Sequence, residues 1–160
     1  MNIGITVHSQ TGTTLKFAKI IEKELLKRGH TAEIIELKTD VPVNSGSVRN
    51  SKKFSILNIP DCADYDAVLF GGPVWAFSAS PVLIACMKEL KGLTHKKVIP
   101  FVTMGFTFSG LGGSQAIKLM SSMATNSGAR VLPGKIVGKL FRNSTLLMEK
   151  SAVEIADCID

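Results

Sequence analysis

Short apolar runs alternate along this chain with segments in which apolar residues recur every three or four positions. Residues 2–7 are β-branched and apolar, Ser9 to Thr14 interrupts, and Ala18, Ile21 and Leu25 then share one face of a predicted helix. Gly29 stands where a helix C-cap belongs, and His30 to Leu37 returns to an extended apolar pattern, so the chain opens with a β-α-β unit. Ala67 to Gly71 is a short apolar strand. Ser80 and Pro81 supply an N-cap and a proline at the first helical position, starting a helix that runs to about Leu90. Val98 to Met104 is the next strand, Gly105 to Gly113 a Gly-rich loop, and Ser114 to Asn126 a helix with Gly128 beyond it. Arg130 to Val137 closes the sheet, and a last helix runs from about Ser144 to Cys158. Residues 38–60, with Pro42, Asn44, Gly46, Asn50 and Pro60 among scattered charges, carry no sustained stripe. Phe54 to Ile59 fits a short strand there, and the assignment stays open.

Strands that alternate with helices imply an α/β protein: a parallel sheet of five strands covered on both faces, because right-handed crossovers place helices above and below it. The expected strand order is 2-1-3-4-5. Ligands of such sheets bind beyond the carboxyl ends of the strands at the topological switch point, here between the first and third strands. The loops after the first, third and fourth predicted strands meet there.

Length and composition narrow the class. The 160 residues, 14 of them Gly and rich in apolar types, suit one packed domain spanning 1–160. The opening Met1-Asn2-Ile3-Gly4-Ile5-Thr6-Val7 lacks the basic start and long apolar stretch of a secretory signal, and no apolar run approaches the roughly 20 residues of a bilayer span, so a cytoplasmic location without membrane contact is expected. Cys62, Cys86 and Cys158 are odd in number and far apart, which favours buried free thiols over a disulfide framework or a metal site. A formal charge of +6 could attract nucleic acid, acidic membranes or an acidic protein partner; alone it is weak evidence, and no nucleic-acid partner is expected. Lys16, Lys19, Lys23 and Lys27 recur at helical spacing, either as a solvated helix face or as a docking surface.

The chemistry is concentrated in the loops. Ser9, Gln10, Thr11, Gly12, Thr13 and Thr14 gather hydroxyls and an amide around a glycine directly before a helix, where free backbone N–H groups and the helix dipole favour an anion. Ser and Thr also cap helices, which is the plainer reading of the same residues. The loop lacks the Lys of a P-loop and the Gly-x-Gly-x-x-Gly of a dinucleotide fold, so a mononucleotide phosphate fits best. His8 fits beside that phosphate or as a satisfied buried imidazole; His30 and His95 fall in predicted turns and are expected at the surface. No acid–base dyad stands out, and no catalytic side chain is assigned.

Ser9-Gln10-Thr11-Gly12-Thr13-Thr14 resembles the phosphate loop of the flavodoxin family, Ser/Thr-x-Thr-Gly-x-Thr. Gly71-Gly72-Pro73-Val74-Trp75-Ala76 is similar to the loop with which short flavodoxin-like proteins grip the flavin ring, and Thr103-Met104-Gly105-Phe106 with Gly112 and Gly113 to the loop on the ring's other side. The resemblance covers nearly the whole chain and implies FMN as a non-covalent cofactor, held by Ser9 to Thr14, by Pro73, Val74, Trp75, Ala76 and Phe77, and by Thr103 to Phe106 with Gly112 and Gly113. An isoalloxazine needs apolar surface to stack against, and Trp75, the sole Trp, is placed to supply it. Phe77, Phe106 and Phe108 are further candidate walls.

Three departures from the family stand out. Thr13 replaces a common Asn and keeps a donor. Val74, Trp75 and Ala76 offer no glycine at the site of the flavodoxin peptide flip, so strong semiquinone stabilisation is not expected. The positive charge reverses the usual acidic polarity and points to an acidic redox partner protein. The resemblance implies a one-domain electron carrier; an NAD(P)H-dependent quinone reductase and a cofactor-free module of the same shape are the alternatives.

Overall fold

The computed structural model describes residues 1–45, 53–105, 112–138 and 144–160. In chain order the elements are β1 (Asn2–Val7), α1 (Thr13–Lys27), β2 (Thr31–Glu36), β3 (Ala67–Trp75), β4 (Ser78–Ala79), α2 (Pro81–Glu89), β5 (Lys97–Met104), α3 (Gly113–Asn126), β6 (Arg130–Val131), β7 (Lys135–Gly138) and α4 (Ser144–Ile159). The main strands lie in the order β2-β1-β3-β5, all parallel, with β6 and β7 both pairing along the outer edge of β5. This is the expected order once β6 and β7 are counted as the two halves of the last predicted strand.

That strand is broken for a reason visible in the register. Arg130 pairs with Lys97, a separation of 33, whereas Lys135 pairs with Phe101, a separation of 34. One extra residue between them makes a bulge over Leu132, Pro133 and Gly134, where Pro133 has no N–H to give and a side chain at Gly134 would meet Pro100 O at 2.9 Å. β3 is longer than predicted. It runs on through Pro73 to Trp75 and turns back into β4, with Trp75 opposite Ser78.

Alternation along β1 splits its side chains between two layers. Ile3, Ile5 and Val7 join Leu69, Phe101 and Val137 under α1 and α4, with Phe17, Ile21, Leu25, Met148 and Ile155 from the helices. On the other face Val68, Phe70 and Val102 pack under Leu83, Cys86 and Met120 of α2 and α3. Cys62 and Cys86 are buried free thiols as expected, while Cys158 is only half-buried. His95 is exposed, but His30 is not the surface residue expected: its side chain is 11% exposed and its Nε2 lies 2.7 Å from the carboxylate of Asp160.

No helix crosses from β2 to β3 among the described residues. Among the described residues that follow β2, Thr39 and Ile56 form an antiparallel bridge, and Asn58 accepts from Lys38 N–H at 2.7 Å and donates to Glu36 O at 2.8 Å. Tyr65 then lies across Gly4, where a β-carbon would stand 2.7 Å from its ring. Among the described residues no helix is long and apolar enough to cross a membrane.

Candidate functional site

Three chain segments end at the same edge of the sheet. β1 delivers Ser9 to Thr14, β3 delivers Pro73 to Trp75, and β5 delivers Thr103 to Gly105. One cleft is lined by Ser9, Gln10, Thr11, Thr13 and Thr14 from the first, Pro73, Val74 and Trp75 from the second, and Thr103, Met104 and Gly105 from the third. Ser45, from the segment the sequence left unassigned, also lines it.

The first loop is built to expose amides. Gly12 sits at the N-cap of α1 with φ of 81°, a left-handed conformation, and contributes no side-chain cap. Ser9 Oγ accepts from Leu15 N–H at 3.2 Å and Gly12 O accepts from Lys16 N–H at 2.8 Å. The amides of Thr13 and Thr14, at the first two helical positions, are the donors such a turn has left to offer. Thr11 and Thr13 hydroxyls lie 3.4 Å apart at the mouth, whereas the buried Thr14 hydroxyl is turned inward to Thr103 Oγ1 at 2.7 Å and ties the first loop to the third. The first turn of α1 carries no acidic residue, and no carboxylate lines the cleft among the described residues.

The second and third segments add apolar lining: Pro73, Val74, Trp75 and Met104. Trp75 meets His8 edge-on, with ring centroids 5.2 Å apart and planes at 86°. His8 is 8% exposed, its Nδ1 lies 2.9 Å from Ser80 Oγ, and burial pushes its pKa down to about 4, so the imidazole is neutral at pH 7. It does not line the cleft, which favours the buried-imidazole reading.

Several expected residues lie elsewhere. Gly12 shapes the loop without lining the cleft. Ala76 and Phe77 form the two-residue turn between β3 and β4, with φ of 45° and 64°, and Phe77 is 65% exposed. Left-handed backbone thus occurs in this loop at two non-glycine residues. Gly112 and Gly113 are buried behind the loop rather than in the cleft: a β-carbon at Gly112 would stand 2.5 Å from Phe77 Cα, and one at Gly113 3.1 Å from Met104 Sδ. Phe106 and Phe108 lie outside the described residues. Ser45 gave no signal in the sequence, because it comes from a segment without periodicity.

A donor-rich turn and apolar side chains that line one cleft, with no carboxylate among its described lining, match a phosphate joined to a planar ring. Residues 2–139 match the family described as NADPH-dependent FMN reductase. The chain belongs to this family. No curated protein matches it by sequence. Among solved structures, oxidised flavodoxin 1 from Bacillus cereus is 16% identical, with 98% of each chain covered and a TM-score of 0.67. General stress protein 14 from Treponema denticola, in complex with FMN, is 12% identical over 100% of both chains with a TM-score of 0.66. Two-electron reduced flavodoxin from Megasphaera elsdenii is 20% identical, covering 94% of this chain and 98% of that one, with a TM-score of 0.62. By family and fold this is a flavodoxin-like FMN protein.

Proposed function

We propose that this chain passes electrons through an FMN held without a covalent link in the cleft between β1, β3 and β5. The observation that carries this reading is the convergence of three loops on one cleft, whose lining combines the hydroxyls of Ser9, Thr11 and Thr13 with the Trp75 ring. Thr11, Thr13 and the α1 amides would hold the phosphate, and Trp75, Val74 and Met104 would exclude water from the ring. The flavin itself supplies the one- and two-electron chemistry. The cleft residues are left to bind and orient, which agrees with the absence of an acid or base among its described lining.

A second reading, in which NADPH feeds the flavin directly, is favoured by the family match over residues 2–139. Hydride transfer to a flavin needs no acidic side chain, so the same cleft serves either reading. An acidic redox protein is the proposed partner. Lys16, Lys19 and Lys23 line a groove floored by Leu15 and Ile20 that begins at Gly12.

The visible spectrum of protein purified without added flavin, followed by FMN titration of the stripped protein, tests the cofactor site. A colourless protein that gains no thermal stability from FMN would reject it. Steady-state NADPH oxidation with a quinone acceptor separates the readings: turnover supports the reductase, and its absence in a protein that dithionite reduces supports the carrier.

A further inference from the structure

Trp75 is the only tryptophan of the chain and walls the cleft where β3 gives way to its turn. Its ring is supported from behind. His8 meets it edge to face and is itself tied at two points: its backbone N–H donates to Gly71 O at 2.9 Å, and its Nδ1 lies 2.9 Å from Ser80 Oγ. Ser80 is fully buried and caps α2, its Oγ accepting from Leu83 N–H at 3.3 Å. The end of β1, the middle of β3 and the first turn of α2 therefore meet in one polar chain that touches the Trp75 ring.

We propose that Ser80 and His8 form a buried brace that fixes the Trp75 ring for the flavin, and that the brace holds only with a neutral imidazole. The part of this that concerns flavin rests on the FMN reading of the cleft. Ser80 Oγ already accepts one bond and has a single proton to give. Donating that proton to Nδ1 satisfies both groups, which assigns the ring proton of His8 to Nε2. A second ring proton would reverse the bond at Nδ1, leave the Ser80 hydroxyl proton without the acceptor it donates to, and place a charge in a buried site. Burial is the only cause of the lowered His8 pKa. β1, β3 and β4 carry no charged residue, and the charged residues of α2, Lys88 and Glu89, sit at its far end. His8 is thus a positioning residue, acting on the cleft through Trp75.

Because Trp75 is unique, its fluorescence reports the brace in flavin-free protein. Its emission maximum and anisotropy are followed from pH 7 to about pH 3.5, with far-UV circular dichroism alongside. The wild type should show a step with a midpoint near about 4 while its helix signal holds. His8→Gln keeps an acceptor for the Ser80 hydroxyl but takes no proton, and should show no step. At pH 7 FMN should bind His8→Gln roughly three- to tenfold more weakly, the worth of a lost aromatic edge contact, with part of the loss restored in His8→Phe. Should His8→Gln fail to fold, Gly72→Ala probes the same brace from the other side, since its methyl would stand 3.4 Å from Ser80 Oγ and 2.9 Å from Leu83 Cδ2; a weakened FMN affinity and a shifted Trp75 step are expected. A flat wild-type tryptophan signal, with FMN affinity unchanged in the folded variants, would overturn the brace. If the wild type takes up no FMN, the cofactor reading falls, while the tryptophan titration still decides whether His8 holds Trp75.

Discussion

Gly71 on β3 is the register partner of Phe101 on β5, and the phenyl ring lies so close over it that a β-carbon at position 71 would stand 2.0 Å from Phe101 Cζ. The ring cannot retreat freely, because Phe17 of α1 meets it edge-on with centroids 5.2 Å apart. A missing side chain on one strand is therefore what admits an aromatic from the next into the core under α1 and α4. Gly71→Ala should destabilise the fold by about 3 kcal/mol, the upper range for overpacking. Urea denaturation measures it, and an unchanged midpoint would show that the ring has somewhere else to go.

Thr6 occupies the middle of β1 with its Oγ1 buried and without a hydrogen-bond partner among the described residues. A buried hydroxyl without a partner carries its full desolvation cost, and valine has the same shape without it. Thr6→Val should leave the fold unchanged and raise its stability by about 1 kcal/mol. A lower melting temperature would mean that the hydroxyl is satisfied in solution.

The turn at Ala76 and Phe77 holds two non-glycine residues at positive φ where two-residue hairpins favour Asn-Gly. Each such residue costs on the order of 1 kcal/mol. The double change Ala76→Asn and Phe77→Gly should therefore raise the melting temperature, and removing the exposed phenyl should cost little core packing. A fall in melting temperature would assign Phe77 a contact that its 65% exposure does not suggest.

Arg28, at the end of α1, reaches Asp157 and Asp160 at the end of α4, both at 2.7 Å, and Glu24 one turn back at 3.3 Å. Its hydrogen bond, followed by that of His30, holds the Asp160 carboxyl below the ordinary range. A carboxylate with a lowered folded-state pKa contributes stability above its unfolded pKa and loses it as pH falls through the folded value. Arg28→Ala should thus lower the melting temperature at neutral pH and much less under strongly acid conditions. Added salt should narrow the difference, because these groups face solvent. Parallel loss at both pH values would point to lost packing of the arginine stem instead.

What the sequence made legible follows from where one physical signal dominates. α1 reads clearly because Ala18, Ile21 and Leu25 bury one stripe while the lysines stay in water. β1, β3 and β5 read clearly because they are buried on both faces and so appear as apolar runs. The turn at Ala76 and Phe77 was invisible, since neither residue carries the chemistry that marks a tight hairpin. The break between β6 and β7 was hidden because Leu132 and Ile136 continue the apolar pattern across Pro133 and Gly134. Among the described residues between Lys38 and Ile59, the bonds come from single side chains such as Asn58 and Asp40 and follow no period. Ser45 reached the cleft lining from that stretch unannounced. Gly112 and Gly113 entered the candidate site through the family resemblance, and their close approach to Phe77 and Met104 is a packing feature that no sequence period announces.

His30 lies between the two ends of the described chain, its Nδ1 3.4 Å from the amino group of Met1 and its Nε2 2.7 Å from the carboxylate of Asp160. Both ends thus emerge beside one imidazole at the amino edge of the sheet, while the cleft opens at the carboxyl edge, about 20 Å away along a six-residue strand. An electrode linker, a surface tether or a fused reductase attached at either end would leave the cleft facing away from the attachment, free to meet whatever exchanges electrons with it.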